Sequence, residues 1–288
     1  MSHIKIKSFF DETTCTVTYI VIDTPTNKCA IIDPVLDYKQ NSGRTGTESA
    51  DLLIEFIRSN KLDLEWIIET HAHADHLSSA PYLKDKLGGK TTIGEHITDV
   101  QKIFKEVFNL EKEFLVDGSQ FDYLLKNNQS IKLGESQIQV MHTPGHTPAC
   151  VTLVVENNAI VGDTLFMPDF GTARCDFPGG DARNLYQSIQ RIFSLPDSTK
   201  VFVGHDYQSA NRNYFAWETT VAKQKQDNIH INQVISEDEF VHIRQARDSN
   251  LDVPKLILPS VQVNIRAGIL PPKENNGLSY MKIPINAL

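Results

Sequence analysis

Residues 70–76 (THAHADH) place three imidazoles and one carboxylate within a single short segment. They follow residues 64–68, an apolar run typical of a buried strand. In an extended segment His71 and His73 project to the same side, and a turn after them can bring the final aspartate and histidine round to face them. Nitrogen and oxygen ligands gathered at the end of a strand could hold a metal ion that a substrate can still reach.

Three further motifs with metal-ligating residues follow in the chain: TPGHT at 143–147, VGDT at 161–164 and VGHDY at 203–207. Each follows or ends an apolar, β-branched run, so each donor is predicted on a loop at the end of a strand, where chemistry is often located. The alternative for residues 70–76 is a polar loop whose histidines cap helices or bond to the backbone. The matching motifs downstream favour a metal site.

The composition is that of a globular protein with a substantial core. The chain has 288 residues, enough for one large domain or two small ones, and 40% of them are hydrophobic. The net charge of −8 argues against a nucleic acid or an anionic membrane as partner. A small anionic substrate is still compatible with this charge, because it needs only a local cationic pocket.

Cysteine usage and the N-terminal residues predict a cytoplasmic location. The four cysteines show no C-x-x-C spacing, so we expect free thiols in a reducing compartment and no cysteine-based zinc site. The N-terminal residues contain no hydrophobic stretch of signal-peptide length, and no apolar run approaches the ~18 residues that would span a bilayer.

Hydrophobic periodicity predicts a mixed α/β fold. Alternating residues predict strands in 4–34 and 121–166 and a short strand at 201–203, with residues 38–47 as a loop. Helical spacing predicts helices at 49–60, 77–87, 97–110, 181–195 and 217–228. The second half of the chain broadly repeats the order of strands and helices in the first. This order fits two stacked β-sheets with helices on both outer faces.

The whole chain, 1–288, is predicted to form one domain, with residues 231–288 as a C-terminal extension packed on it. A capping box that starts at Ser236 opens a helix at 240–249. Beyond that helix, residues 256–265 contain two runs that are too apolar for a disordered tail. We therefore expect them to pack on the domain or against a second subunit.

Together with Asp33 in the run IIDP, these motifs resemble the metallo-β-lactamase superfamily. The resemblance implies an α/β (α+β) fold, the metallo-β-lactamase-like αββα four-layer sandwich. The superfamily's full ligand set can hold two ions: His71, His73 and His146 for one, and Asp75, His76 and His205 for the other, with Asp163 between them. Two zinc ions sharing a hydroxide would make a hydrolase, such as a glyoxalase II or a lactamase.

One branch of the superfamily, the persulfide dioxygenases or sulfur dioxygenases, is matched more closely downstream. The run GTARCDF at 171–177 is similar to their G-x-x-R-x-D-F segment, and LYQSI at 185–189 also fits. The resemblance implies one Fe(II) ion held by His71, His146 and Asp163. Two imidazoles and a carboxylate on one face suit non-haem Fe(II) and leave positions for substrate and oxygen.

In that branch, other polar residues around the metal would act without binding it. Four are expected to orient the ligands and tune the metal through hydrogen bonds: His73, Asp75, His76 and His205. Tyr207 could donate a hydrogen bond near the metal, or it could simply pack there. His142 is expected to be structural, because the family's ligand aligns with the histidine of PGHT.

The implied reaction converts glutathione persulfide, oxygen and water into sulfite and glutathione. Glutathione carries two carboxylates, so its pocket needs a fixed cation, and Arg174 is the candidate because a guanidinium can fork onto a carboxylate. Asp176 could fix Arg174, and Thr172 lies in the same segment. In the alternative interpretation, the Arg174–Asp176 pair only holds the loop. Cys175 is expected to be a bystander or a redox-sensitive thiol, and the family implies a homodimer.

Two other functions stay open on the sequence. A dizinc thioester hydrolase of the glyoxalase II type would bind about two zinc ions per chain, against about one iron ion for a dioxygenase. A non-catalytic sulfur or metal sensor could use the same pocket, although the sequence contains no DNA-binding element to accompany it.

Overall fold

The computed structural model describes residues 2–286. Its strands are β1 (Ile4–Asp11), β2 (Thr16–Asp23), β3 (Lys28–Ile32), β4 (Val35–Lys39), β5 (Arg44–Gly46), β6 (Asp63–Ile68), β7 (Leu77–Ser78), β8 (Lys90–Gly94), β9 (Tyr123–Leu125), β10 (Ser130–Leu133), β11 (Ser136–His142), β12 (Val151–Val155), β13 (Asn158–Ile160), β14 (Lys200–Phe202) and β15 (Glu218–Thr220). Its α-helices are α1 (Glu48–Ser59), α2 (Ala80–Leu87), α3 (Ile97–Val107), α4 (Ala182–Phe193), α5 (Val221–Asp227), α6 (Glu237–Asp248) and α7 (Ile257–Asn264). None of these described helices combines the length and the apolar character needed to cross a membrane.

The strands form two six-stranded sheets and a small third one. The first large sheet has the order β1-β2-β3-β6-β8-β9, the second has the order β10-β11-β12-β13-β14-β15, and β5-β4-β7 make the third. β3, β6 and β8 run parallel, with α1 and α2 as the connecting helices, and β13 and β14 run parallel with α4 between them. Parallel neighbours require such crossovers, so each connecting helix lies on a face of its sheet.

The two large sheets pack face to face through apolar side chains. Tyr19 and Ile68 of the first sheet share one buried cluster with Leu153 and Phe202 of the second. A second cluster joins the other face of the first sheet to α1 and α2, and a third joins the other face of the second sheet to α4, α5 and α6. This helix–sheet–sheet–helix layering confirms the predicted αββα sandwich.

Three local predictions were wrong. Residues 38–47, predicted as a loop, include the hairpin of β4 and β5, whose polar sequence shows no hydrophobic alternation. The helix predicted from residue 217 begins at Val221, because the β-branched residues before it pair with β14 as β15. Thr220 then caps α5 by accepting a hydrogen bond from the backbone N–H of Lys223. The helix predicted from residue 77 begins at Ala80, after β7.

The C-terminal helices pack on the rest of the domain. The predicted capping box is present at Ser236 and Glu239, and it opens α6. α7 is buried along almost its whole length and lies against β7. Its Asn264 accepts a hydrogen bond from the backbone N–H of Ser78 (2.9 Å). These contacts place α7 next to the loop that carries residues 70–76.

Candidate metal centre

The predicted donor residues converge at one edge of the two sheets. Residues 70–76 follow the carboxyl end of β6, which lies beside β3 in parallel orientation. Asp33, just beyond β3, accepts hydrogen bonds from the backbone N–H (2.7 Å) and the hydroxyl (2.8 Å) of Thr70. The parallel pairing therefore brings the two strand ends together, and Asp33 fixes the start of the histidine-rich loop.

Two histidines and one carboxylate form a compact buried group. The Nε2 atoms of His71 and His146 each lie 3.8 Å from Oδ2 of Asp163. One ligand atom from each residue lies within 4.8 Å of those of the other two. These separations are too long for hydrogen bonds, but they suit ligands arranged around a single ion.

A second group adjoins the first through Asp163. Nε2 of His205 lies 3.3 Å from Oδ1 of Asp163 and 3.4 Å from Oδ2 of Asp75. His73, Asp75 and His205 also have ligand atoms within 4.8 Å of one another, and Nδ1 of His76 lies 3.0 Å from Oδ2 of Asp75. The sequence-predicted donors of both metal positions are therefore brought together.

Several of these atoms are buried and have no hydrogen-bond partner among the described residues. They are Nε2 of His71, Nδ1 of His73, Nε2 of His76, Nε2 of His205 and Oδ1 of Asp163. A buried polar atom without a partner costs about 1–3 kcal/mol, so such atoms are rare in native proteins. Nitrogen and carboxylate donors left free in this way fit a bound iron or zinc ion.

Each of the five imidazoles has one ring nitrogen in a hydrogen bond. Nδ1–H of His71 donates to the hydroxyl of Thr70 and Nδ1–H of His76 to Oδ2 of Asp75 (3.0 Å each). Nδ1–H of His146 donates to the carbonyl of Arg174 (2.8 Å), and Nδ1–H of His205 donates to the carbonyl of Cys15 (3.2 Å). Nε2–H of His73 donates to Oδ1 of Asp33 (3.0 Å). In a neutral imidazole, such a bond fixes the tautomer and leaves the opposite nitrogen with a free lone pair, as metal-binding histidines require.

Their surroundings shift the pKa values of two of the histidines in opposite directions. Burial lowers the pKa of His71 well below its ordinary value, and the adjacent His73 and His146 lower it further. Burial also opposes the charged form of His73, but the carboxylates of Asp33 and Glu69 outweigh it and raise its pKa well above the ordinary value. His71 is therefore neutral in the form that binds metal ions, whereas a ligand role for His73 would require loss of its proton.

Two aromatic residues singled out in the sequence lie in different surroundings. The ring of Tyr207 stacks on His205 with centroids 5.5 Å apart, and its hydroxyl forms no hydrogen bond within residues 2–286. His142 lies outside the donor groups: its Nε2–H donates to the carbonyl of Pro148 (2.8 Å), and its ring stacks on His96. These contacts agree with a structural role for His142.

The predicted substrate residues have their side chains engaged within the protein. Nε and Nη2 of Arg174 fork onto the two carboxylate oxygens of Asp176 at 2.5 Å each, and Nη1 donates to the carbonyl of Asp252 (2.6 Å). The hydroxyl of Thr172 accepts a hydrogen bond from Arg244 (3.2 Å). Arg174 and Thr172 line a cavity beside the donor groups, but the guanidinium of Arg174 already has its partners.

Sequence reasoning missed the residues of α6 that hold this segment. Arg244 donates to Oδ1 of Asp248 (2.7 and 3.0 Å) and to the carbonyl of Thr172 (3.0 Å). Oδ2 of Asp248 accepts from the backbone N–H of Cys175 (2.8 Å). Between these two anchors lies the carbonyl of Arg174 that orients His146. The i, i+4 spacing of Arg244 and Asp248 was a signal for a helical ion pair, but it did not show what the pair holds.

Two adjoining cavities open beside the donor groups, and a third cavity of about 330 Å³ is lined in part by His76. The smaller of the two adjoining cavities has a volume of about 280 Å³ and is lined in part by His146 and Asp163. The larger has a volume of about 850 Å³ and lies between the β4–β5 hairpin and the segment that precedes α7. Asp75, Tyr207 and Pro254 line both cavities, so the two adjoin at the metal centre.

Comparison with known proteins agrees with this geometry. The model of the metallo-beta-lactamase superfamily matches residues 12–205. The chain belongs to the metallo-β-lactamase superfamily.

Three relatives within the superfamily cover nearly the whole chain. Glyoxylase B2 of Dictyostelium discoideum is 52% identical over 286 residues, covering 99% of this chain and 98% of the relative. The mitochondrial persulfide dioxygenase ETHE1 of Homo sapiens is 29% identical over 272 residues, covering 93% of this chain and 91% of the relative. The crystal structure of ETHE1 from Myxococcus xanthus superposes with a TM-score of 0.72 at 28% identity, covering 92% of this chain and all of that one.

Proposed function

We propose that this protein is an Fe(II)-dependent persulfide dioxygenase. It oxidises the terminal sulfur of glutathione persulfide: GSSH, O₂ and H₂O give GSH, sulfite and two protons. Both oxygen atoms of O₂ and the oxygen of water enter the sulfite, and the S–S bond breaks with release of the thiol. The enzyme would remove persulfide sulfur that sulfide oxidation produces.

The group formed by His71, His146 and Asp163 carries this proposal. Two imidazoles and one carboxylate around a common centre form the set that suits non-haem Fe(II) oxygenases, with coordination positions left for substrate and oxygen. His73 is not a member of that group. Its ligand atoms fall with Asp75 and His205, or with Asp33 and Glu69.

The relatives and the segment after Asp163 support the same reaction. The chain is similar over nine-tenths of its length to persulfide dioxygenase ETHE1 and to the structure of its Myxococcus xanthus counterpart. The GTARCDF segment contributes Arg174, whose carbonyl orients His146, and Asp176, which pairs with the guanidinium of Arg174.

The chain's own residues prepare the site for this chemistry. When bound, iron(II) would supply the redox chemistry and the positions at which an anionic persulfide sulfur and oxygen meet. His71 and His146 would hold it through Nε2, and Asp163 through a carboxylate oxygen. Phe166 and Phe170 line the smaller cavity beside Asp163 and give it an apolar wall that limits water near the reacting sulfur.

A dizinc thioester hydrolase is the second candidate. The adjoining group of His73, Asp75 and His205, with His76 beside it, could complete a second metal position that shares Asp163. A relative at 52% identity is named Glyoxylase B2, and that name favours a hydrolase activity for that relative. Two zinc ions held by these residues would supply a shared hydroxide as the nucleophile for thioester hydrolysis.

Oxygen uptake tests the proposal directly. Protein purified without oxygen and loaded with Fe(II) should consume O₂ when glutathione persulfide is added, with one sulfite formed per O₂. Zinc-loaded protein is the matched control and should show no uptake. If protein with confirmed iron occupancy consumes no oxygen while the zinc form hydrolyses S-lactoylglutathione, the dioxygenase is excluded and the hydrolase takes its place.

A further inference from the structure

The two cavities beside the metal centre differ in their charged walls. The larger is bordered by Lys39 at the end of β4 and by Lys255 just before α7. Both lysines are exposed, and neither ammonium forms an ion pair within residues 2–286. Gln40 donates from its amide to the carbonyl of Lys255 (3.1 Å), which ties the hairpin to the C-terminal extension and places both lysines on one cavity.

The smaller cavity has three arginines on its wall, and two of them form ion pairs within the protein. Arg174 is paired with Asp176, and Arg244 with Asp248. Arg247, on the next turn of α6, is exposed and forms no ion pair in the described part of the chain. It is therefore the cation of this cavity that has no carboxylate partner of its own.

The carboxylates on the cavity walls belong to the metal centre. Asp75 borders both cavities and Asp163 the smaller one, and each lies in a donor group. Bound metal would neutralise part of their charge. The ends of the two cavities then carry uncompensated positive charge, with the reacting centre between them.

We propose that the two cavities together bind a thiol carrier whose sulfur is central and whose two ends are carboxylates, with Arg247 holding one end and Lys39 and Lys255 the other. The assignment rests on the proposed function and deepens it. In glutathione the sulfur lies between the γ-glutamyl carboxylate and the glycine carboxylate, which matches this arrangement of cations around a metal centre.

The charges also orient the tripeptide. The γ-glutamyl end carries an ammonium next to its carboxylate, and two lysines would repel that ammonium. The glycine end carries a carboxylate alone. The glycine carboxylate therefore lies toward Lys39 and Lys255, and the γ-glutamyl carboxylate lies toward Arg247, whose planar guanidinium can fork onto it.

Binding of glutathione sulfonate tests the arrangement without turnover. This stable probe keeps both carboxylates, and its dissociation constant can be measured by calorimetry on the metal-loaded protein. Exposed charge pairs contribute little individually, so Lys39→Gln, Lys255→Gln and Arg247→Gln should each weaken binding about 3-fold, and the double lysine variant about 10-fold. Lys5→Gln, an exposed lysine on β1 away from both cavities, is the matched control and should bind like the wild type.

The ethyl ester of the probe's glycine carboxylate distinguishes the two ends. The ester should bind the wild type more weakly than the free acid, and the lysine variants should then bind it as well as the wild type does. Arg247→Gln should still lose about 3-fold. The proposal would be overturned if all variants bound the free acid as tightly as the wild type. It would also be overturned if the ester abolished the effect of Arg247→Gln but not the effect of the lysine substitutions. Absence of oxygen uptake would exclude the proposed reaction. The binding measurements would still show whether the three cations hold the two carboxylates.

Discussion

At the scale of the residue, one ring nitrogen of His146 forms a hydrogen bond and the other is free to bind a metal ion. Nδ1–H donates to the carbonyl of Arg174 (2.8 Å), while Nε2 lies 3.8 Å from Oδ2 of Asp163. The ring is therefore fixed by folding before an ion arrives, and little conformational entropy remains to be lost on metal binding. His142, four residues earlier at the end of β11, instead donates its Nε2–H to the carbonyl of Pro148.

The two histidines give a matched pair of variants. His146→Ala should lower the affinity for Fe(II) by more than about 100-fold, because it removes a ligand rather than a residue that orients one. His142→Ala should leave the metal content close to one iron per chain, since His142 belongs to neither donor group. Elemental analysis after anaerobic loading and desalting measures both. Loss of iron from the His142 variant with retention in the His146 variant would contradict the assignment of the ligands.

At the scale of the element, α7 braces the loop that carries the first donors. Asn264 at its end donates from Nδ2 to the carbonyls of His73 and His76 (2.8 Å each) and accepts from the N–H of Ser78 (2.9 Å). All of these groups are buried, so one amide side chain satisfies three backbone groups that water cannot reach. α7 therefore stabilises the loop that carries the first donors through its backbone groups.

Removing that amide should loosen the loop and destabilise the fold. Asn264→Ala leaves three buried backbone groups unpaired and should lower the free energy of unfolding by about 3 kcal/mol. It should also weaken metal binding. Urea titration and metal affinity, measured on the same preparations, report the two effects.

Ser260→Ala is the control on the same helix. Ser260 is also buried, but its hydroxyl has no hydrogen-bond partner among residues 2–286, so its loss should change stability little. Equal destabilisation by the two substitutions would show that α7 acts only by packing, and the bracing role of Asn264 would be rejected.

At the scale of the whole molecule, a buried histidine links folding to pH. His230 accepts a hydrogen bond at Nδ1 from the backbone N–H of Thr172 (3.0 Å), and its ring lies next to the guanidinium of Arg244. Burial, and after it the charges of Arg244 and Arg247, lower the pKa of His230 to about 3. The imidazole is therefore neutral in the folded protein over most of the acid range.

This lowered pKa predicts a loss of stability in mild acid. As the pH falls below 6.5 the unfolded chain takes up a proton at His230, whereas the folded chain does not until about pH 3. The unfolded state is thereby favoured, and the wild type should lose about 2 kcal/mol from this residue between pH 7 and pH 5. Urea unfolding of metal-free protein at both pH values, compared with His230→Gln, isolates this contribution. Parallel pH profiles of the two proteins would contradict it.

The sequence predicted the parts of the molecule whose signals are local. Hydrophobic periodicity predicted a mixed α and β fold, and the family resemblance implied the αββα layering. The resemblance also singled out His71, His146 and Asp163, which stand in short motifs after apolar runs. The β4–β5 hairpin was missed because it is polar on both faces and lies outside the large sheets. Hydrophobic alternation reveals a strand in a sequence only when one face of that strand is buried and the other is exposed.

Other features depend on which distant segments meet. No pattern in the sequence placed Asn264 or Arg247 beside the site. Each gains its position because the C-terminal helices dock beside loops more than 70 residues earlier in the chain. Arg174 shows the opposite case. The sequence left open whether Arg174 binds the substrate or holds its loop with Asp176, and the structure shows the guanidinium paired with Asp176. The positions of Asn264 and Arg247 depend on contacts between distant segments, and periodicity contains no information about such contacts.

Asp163 connects the two donor groups, with Oδ2 facing His71 and His146 and Oδ1 facing His205. One carboxylate cannot give its full negative charge to two neighbouring cations, so occupancy of the two positions is thermodynamically linked. An ion in the first position would lower the affinity of the second, and linkage would require the second to lower the first by the same factor. At equilibrium the concentrations of the available metal ions, and not the order in which they bind, would therefore set which of the two positions is filled.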